Sequence, residues 1–205
     1  MAPDAAVTQA ATDVIVFDDA ALEASIREAL GKPEGDITRV DAETLTALEL
    51  SKLGPDKSKP YIHSINALQY FTNLTYLGLG YAVQNARDPL APIDLSVIAN
   101  LENLESLQMA GVVIDDLSPL ANLNLLISLT LYNGDQPLDL SPLAGLIKLR
   151  YLDLEGNEIS DVTPLAGLTG LERLYLIDNP ISDFSSLAEV RSDLIEWDFE
   201  VAPAP

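Results

Sequence analysis

The 205-residue chain contains no cysteine and a single histidine, His63. The absence of cysteine excludes disulfide bonds, thiolate metal sites and a cysteine nucleophile. One histidine excludes zinc sites built from several imidazoles and leaves one candidate base for a Ser-His-Asp arrangement. Because the sequence sets no nucleophile and orienting acid around His63, we expect no enzyme activity, and we expect no cofactor and no metal site.

Basic residues are also scarce, with 11 Lys and Arg against 32 Asp and Glu, so the formal net charge at pH 7 is −21. A surface of this sign repels the phosphate backbone of nucleic acids and anionic membrane surfaces. No apolar run approaches the roughly 18 residues of a membrane span, so we expect no membrane insertion. The opening residues lack a basic region followed by an apolar core, so any signal peptide is expected to have been removed.

A leucine frame of the form LxxLxL recurs seven times along the chain. Two longer units of 29 and 30 residues come first, and the later copies follow every 22 or 23 residues. The copies are Leu45-Leu48-Leu50, Leu74-Leu77-Leu79, Leu104-Leu107-Met109, Leu126-Leu129-Leu131, Leu149-Leu152-Leu154, Leu171-Leu174-Leu176 and Leu194-Trp197-Phe199. Each frame predicts a strand whose leucines point inward and whose alternate residues point outward.

The second half of each unit carries the signal of a short helical turn. Ser118, Ser141 and Thr163 each precede a proline, which predicts an N-capping hydroxyl followed by proline at the first helical position. An aspartate stands two residues before this position in five units, and we expect it to bond the turn backbone. These aspartates are Asp94, Asp116, Asp139, Asp161 and Asp183.

A strand followed by a short turn at this period predicts a leucine-rich-repeat solenoid of the α/β class. We expect a right-handed solenoid with a parallel concave β-sheet, short 3₁₀ or α turns on its convex side and a helical N-terminal cap. In the cap, Asp18 or Asp19 begins a helix that carries Leu22, Ile26 and Leu30 on one face, and Gly31 ends it. The expected division is a disordered tail (1–13), the cap (14–46), the solenoid (47–201) and a C-terminal tail or linker (202–205).

The segment 149–183, LRYLDLEGNEISDVTPLAGLTGLERLYLIDNPISD, resembles the internalin-like bacterial leucine-rich-repeat proteins with 22-residue units. The helical opening segment also looks like the N-terminal cap of that family. Repeats of this kind place an asparagine just past the strand, where Asn157 and Asn179 fit and Val112 departs from the pattern. The resemblance implies a secreted or surface-attached bacterial protein, extracellular or on the cell surface, with an adhesin-like role.

The strand register fixes which side chains line the concave surface and so become candidates for partner binding. Five of the seven tyrosines are among them, and tyrosine is enriched at protein interfaces. The alternative interpretation is that tyrosine simply suits strands. The candidates are Tyr76, Tyr81, Gln108, Tyr132, Tyr151, Asp153, Glu155, Arg173, Tyr175 and Asp178.

Two charge patterns bear on the partner. Carboxylates crowd toward the C-terminal end of the concave surface, which either favours a partner with a basic patch or only maintains solubility. The two long repeats carry insertions at 51–60 and 80–92, which contain Lys52, Lys57, Lys59 and Arg87. These rim loops either help to orient a partner or are merely tolerated insertions.

The sequence therefore predicts a non-catalytic, monomeric recognition module that binds a protein partner on its concave face. Binding of a glycan or of cell wall by the concave tyrosines is the alternative. A hydrolase dyad of Asp153 and Glu155 is disfavoured, because adjacent positions on a flat strand form no water-excluding cleft. The segment 153–161 is not expected to be a calcium loop, because it lacks glycine at the sixth position and sends Asn157 inward.

Overall fold

The computed structural model describes residues 13–50, 61–80, 83, 92–132 and 137–199. Within these residues, seven parallel strands form one sheet in chain order. The strands are β1 (Ala47–Glu49), β2 (Tyr76–Leu79), β3 (Ser106–Ala110), β4 (Ser128–Tyr132), β5 (Tyr151–Asp153), β6 (Arg173–Tyr175) and β7 (Glu196–Trp197). The predicted leucine-rich-repeat solenoid is confirmed.

The leucine frames stack as columns through the core. Leu129 lies opposite Leu107 on one side and Leu152 on the other, and all three are fully buried. The outward residue between two frame positions is more accessible in most strands; Gln108, between the buried Leu107 and Met109, is exposed. The alternation of burial along each strand fixes which side chains can meet a partner.

The last frame departs from this pattern at its middle position. Trp197 pairs with Leu174 but keeps 37% of its surface exposed. Its ring lies under the Arg191 guanidinium, whose Cζ is 5.0 Å from the ring centroid. Arg191 is the last residue of the short helix Ala188–Arg191. Phe199 is buried and stacks on Phe184 with ring centroids 5.1 Å apart. The end of the sheet is thus covered by aromatic rings and a cation.

The turns between strands are 3₁₀ helices, as the short capped segments predict. The hydroxyl N-caps predicted at Ser118, Ser141 and Thr163 are wrong, because each of these residues is the first residue of its turn and the preceding position makes no side-chain cap bond. The 3₁₀ turns are Asn66–Tyr70, Ser96–Asn100, Ser118–Leu120, Ser141–Leu143, Thr163–Leu165 and Ser185–Leu187.

The aspartate column supplies the bond that the hydroxyls do not. In five repeats the aspartate Oδ1 accepts the backbone N–H two residues later, at 2.7–2.9 Å. The predicted turn role of Asp94, Asp116, Asp139, Asp161 and Asp183 is confirmed. In the first turn Ser64 takes this place, and its hydroxyl accepts the N–H of Asn66 at 3.3 Å.

The asparagines after the strands tie neighbouring repeats together. Asn157 is buried and its Nδ2 donates to Leu131 O at 2.9 Å and to Leu154 O at 2.7 Å. Asn179 repeats the arrangement one unit later and bonds Leu154 O at 2.8 Å. Val112 stands at the corresponding position after β3, and its apolar side chain is fully buried.

The N-terminal cap consists of α1 (Ala20–Leu30) and α2 (Arg39–Thr44). Asp19, not Asp18, is the N-cap of α1, and its Oδ1 accepts the N–H groups of Ala21 and Leu22. The same carboxylate also accepts the His63 N–H at 2.8 Å through Oδ2, so it fastens the cap to the first repeat. Gly31 ends α1 in the left-handed region, as predicted.

Asp18 adds a second fastening between cap and repeats. Its Oδ2 accepts the Ser64 hydroxyl at 2.7 Å and the Asn66 amide at 2.8 Å. The hydrogen bond from Ser64 lowers the pKa of Asp18 below its ordinary value, because this effect exceeds the opposing effect of burial.

At the other end of the described residues, the short helix α3 (Ala188–Arg191) follows the last 3₁₀ turn.

Candidate functional site

The outward side chains of the seven strands form one continuous surface, which we call the sheet face. Neighbouring strands pair in register, so its side chains lie in rows that cross the strands. The first row is Ala47, Tyr76, Ser106, Ser128, Tyr151, Arg173 and Glu196, and the second is Glu49, Gly78, Gln108, Thr130, Asp153 and Tyr175. Beside these rows lie Ala110 and Tyr132, which pair with each other.

One cluster of the sheet face is built on β1 and β2. The Tyr76 hydroxyl donates to Glu49 Oε2 at 2.6 Å and also lies 3.3 Å from Gln108 Oε1. Burial, and then the hydrogen bond and negative charge of Glu49, raise the pKa of Tyr76 to about 12. The Glu49 carboxyl covers Gly78 so closely that a Cβ there would lie 2.5 Å from Oε1. Glycine at 78 therefore lets Glu49 reach the tyrosine.

The middle of the sheet face carries small polar side chains. Ser106, Ser128 and Thr130 are half-buried and occupy β3 and β4. Gln108 stands beside them on β3 and is exposed. The described part of β3 and β4 therefore offers a partner hydroxyl and amide groups on a rigid part of the sheet.

A second cluster lies on β5 and β6. The Tyr151 and Tyr175 rings have centroids 5.7 Å apart with an angle of 53° between their planes. Asp153 pairs with Tyr175 across the strands, and its Oδ2 accepts the Tyr151 hydroxyl at 3.3 Å. Burial and the charge of Asp153 raise the pKa of Tyr151 to about 12. Burial, followed by the hydrogen bond to Glu196, also raises the pKa of Tyr175.

Charge on the sheet face is mostly negative. Glu49, Asp153 and Glu196 supply carboxylates, and Arg173 is the cation among the outward positions of the described strands. Arg173 Nε lies 3.2 Å from Glu196 Oε2, and both side chains are about half exposed. This ion pair engages Arg173 with β7, and Asp153 of β5 accepts the Tyr151 hydroxyl.

Tyr132 and Asp178 lie where the chain leaves β4 and β6. The Tyr132 ring covers Gly156, where a Cβ would lie 2.5 Å from Cε2. Gly111, Gly156 and Asp178 occupy the same position after their strands, and their φ angles are 77°, 65° and 59°. Asp178 is the one of the three that carries a side chain. An L-residue in this region stores strain, and such residues cluster at functional sites.

Asp198 bonds the backbone at the end of the sheet. Its carboxylate accepts the N–H groups of Leu176 at 2.7 Å and Ile177 at 3.1 Å. In the preceding repeat the Leu154 N–H bonds a strand carbonyl, that of Tyr175. A side chain thus replaces the backbone acceptor at this end of the sheet.

The structure brings most of the predicted site residues onto one surface. Tyr151, Asp153, Arg173 and Tyr175 form the second cluster, and Tyr76 and Gln108 meet in the first. Tyr132, Glu155 and Asp178 stand at the rim where the strands end, and Tyr81, Lys52, Lys57, Lys59 and Arg87 lie outside the described residues. Glu49 is a sheet-face residue that the sequence analysis missed, although the Leu48–Leu50 frame places it outward.

Two open grooves lie on the turn side of the described residues. A groove of about 610 Å³ is lined by residues that include Asp94, Asp115 and Asp116, and a smaller one of about 340 Å³ includes His63 and Ser64. Across the described ranges, no group of three or more His, Cys, Asp or Glu residues is placed to hold a metal ion. Nor does any helix in these ranges have the length and apolar character needed to cross a membrane.

Comparison with known proteins supports the fold seen here. A family profile for leucine-rich repeats in two copies matches residues 147–189. None of the curated proteins compared with the chain matches it. Among solved structures, a leucine-rich-repeat protein of Leptospira interrogans is 22% identical, covers 78% of this chain and 38% of its own, and superposes with a TM-score of 0.61.

Two internalins from Listeria monocytogenes str. 4b F2365 are also similar. Internalin C2 is 27% identical with a TM-score of 0.49, and the alignment covers 90% of this chain and 94% of that chain. The internalin inlF is 33% identical with a TM-score of 0.65, and the alignment covers 89% of this chain. The chain spans 56% of the length of inlF. Its repeats and these matches show that the chain is a leucine-rich-repeat protein that is similar to the internalins.

Proposed function

We propose that the chain is a non-catalytic recognition module that binds a protein partner on its sheet face. The observation that carries this proposal is the make-up of that face. Four tyrosines, Tyr76, Tyr132, Tyr151 and Tyr175, are held on strands whose backbone is fixed by fully buried leucines. Tyrosine supplies a large contact area with little conformational entropy to lose, so rigidly presented tyrosines favour protein recognition.

The charge of the sheet face supports a partner with a basic patch. The carboxylates of Glu49 and Asp153 lie on the same side of the sheet, and the whole chain has a formal charge of −21. Complementary charge speeds encounter and fixes orientation more than it adds affinity. The contribution of the rim-loop cations Lys52, Lys57, Lys59 and Arg87 stays a prediction.

A secreted or surface-exposed location and an adhesin-like role complete the proposal. Similarity to inlF, which is 33% identical, supports both. The chain covers only 56% of that internalin, so the partner must be identified for this chain itself.

Site-specific photo-cross-linking tests the proposal directly. A photoreactive amino acid replaces Gln108, which is exposed on the sheet face, and in a matched variant it replaces Ala144, which is exposed on the turn side. Each variant is irradiated with extracts of candidate host-cell surfaces. We expect cross-linked protein from position 108 and none from position 144. Equal cross-linking at both positions, or at 144 alone, would contradict binding on the sheet face.

Glycan binding is the competing function, and one observation bears on it. The Tyr151 and Tyr175 rings sit close together beside carboxylates that accept hydrogen bonds, which is also a way to hold a sugar. However, the 53° angle between the rings prevents a single flat stacking platform. Binding of the chain to isolated cell-wall fragments, lost in Tyr151→Ala and retained in Tyr61→Ala, would favour the glycan.

A further inference from the structure

The Tyr151–Tyr175 pair and the Asp153 carboxylate form a compact group on the sheet face. The two rings approach at 5.7 Å, and Asp153 lies beside both of them, opposite Tyr175 in register and 3.3 Å from the Tyr151 hydroxyl. Both tyrosines are only half-buried, so part of each ring faces solvent. The group combines aromatic surface with a negative charge at one point of a rigid sheet.

The same molecule shows which group such surfaces attract. Arg39 Cζ lies 4.8 Å from the Tyr70 ring centroid, and Arg191 Cζ lies 5.0 Å from that of Trp197. A guanidinium is attracted to an aromatic face by the ring quadrupole, and it also pairs with a carboxylate. Arg173 stands opposite Tyr151 in register, and its Nε pairs with Glu196 Oε2 at 3.2 Å.

We propose that Tyr151, Tyr175 and Asp153 form a subsite for an arginine side chain of the protein partner. The guanidinium packs against the tyrosine rings and pairs with Asp153, so the subsite selects arginine over neutral side chains of the same length. This inference rests on the proposed function and adds a chemical identity to one contact of the partner. The Tyr76–Glu49 cluster is a natural control, because it has a hydroxyl-to-carboxylate bond but a single ring.

A titration with peptides of defined chemistry tests the subsite. The probe is a blocked Gly-Arg-Gly peptide, and its matched control carries citrulline, which has the shape of arginine without its charge. NMR signals of labelled tyrosine rings report the contact. We expect the arginine peptide to shift the Tyr151 and Tyr175 signals but not that of Tyr76, and the citrulline peptide to cause little shift.

Two substitutions separate the subsite from general attraction to an acidic surface. Asp153→Asn should weaken binding of the arginine peptide by about two- to fivefold, since it removes the charge of an exposed ion pair and leaves the aromatic contact in place. Glu49→Gln removes one charge from the same face and should leave the affinity almost unchanged. Thermal unfolding checks that both variants remain folded, which is expected because an amide oxygen can still accept the Glu155 N–H.

Several outcomes would overturn the subsite. They are equal shifts with the citrulline peptide, equal effects of Glu49→Gln and Asp153→Asn, and no shift of either ring. If these occur while Gln108 still cross-links a protein, the sheet face binds its partner without this subsite. If cross-linking fails as well, the proposed function itself is wrong.

Discussion

The turn side and the sheet face of the same repeats use polar side chains in opposite ways. On the turn side, one aspartate per repeat accepts the same backbone hydrogen bond, from Asp94 through Asp183. On the sheet face, the corresponding positions change from Tyr76 to Ser106 to Tyr151 along one row. A side chain that recurs with the same contact serves the fold, whereas positions that vary between repeats are available for recognition.

The largest difference between structural and surface roles should appear within a single strand. Leu129→Ala should lower the free energy of unfolding by about 2–5 kcal/mol, because it opens a cavity in a fully buried column. Thr130→Ala, on the outward side of the same strand, should change it by no more than about 0.5 kcal/mol. Chemical denaturation measures both. Equal losses would contradict the assignment of Leu129 to the core and Thr130 to the outward side.

The asparagine column is expected to rank next. Asn157→Ala removes bonds to Leu131 O and Leu154 O in a buried site, which should cost about 1–3 kcal/mol. Asn179→Ala removes a similar set at a half-buried site, and the smaller desolvation should make its cost lower. Denaturant titration of both variants checks the order. A harmless Asn157→Ala would show that the column does not join the repeats.

Asp178 offers a gain in stability instead of a loss. Its φ of 59° suits glycine, which stands at the corresponding positions 111 and 156. Asp178→Gly should stabilise the chain by about 0.5 kcal/mol, because relief of backbone strain exceeds the added entropy of the unfolded state. Glu155→Gly is the control and should destabilise it. If partner binding falls as stability rises, the aspartate is kept for recognition.

The tyrosines should affect binding far more than stability. The double change Tyr132→Ala and Tyr151→Ala should alter the free energy of unfolding by less than about 1 kcal/mol and weaken partner binding several-fold. Tyr61→Ala, at an exposed tyrosine outside the seven strands, should leave both unchanged. Unfolding curves and binding isotherms on the three proteins decide the matter. A much lower melting temperature for the double variant would make these tyrosines structural.

The smallest effect concerns the charge of the turn aspartates. Hydrogen bonds from Thr163 lower the pKa of Asp161 below its ordinary value of 3.8. The ionised form is therefore favoured in the folded state, and its contribution is present above pH 3.8 and lost as the pH falls through the lowered pKa. The melting temperature of Asp161→Asn should lie slightly below that of the wild type at neutral pH. The gap should close in acid, and a constant gap would contradict a role for the charge.

Much of the fold could be predicted because the repeat supplies the same information many times. The leucine frame gave the strand register, and the aspartate column gave the turn contacts. The capping role of Ser118 was wrong because Ser118 is the first residue of its turn and Asp116, two residues earlier, accepts its N–H. Trp197 was predicted to point inward, but it keeps 37% of its surface exposed and packs against the Arg191 guanidinium.

The site was predictable in position but not in partners. Periodicity placed Tyr151 and Asp153 on the same face, yet the bond between them depends on side-chain rotamers, which a strand pattern does not determine. Glu49 was missed because the outward positions of the first frame were not included. The contact of Asp198 with the Leu176 N–H was not predictable, because alternation indicates where a side chain points and not which backbone N–H it meets.

The turn aspartates also bear on how such a chain can lengthen. Each aspartate and the N–H that it accepts stand two residues apart in the same repeat, and the repeats from Asp116 to Asp183 follow every 22 or 23 residues. A duplicated segment of that length would carry its own strand, turn and aspartate without needing a matching change elsewhere. Tandem duplication could then add a new row of outward side chains in one genetic event, and later point mutations could reshape that row for a new ligand.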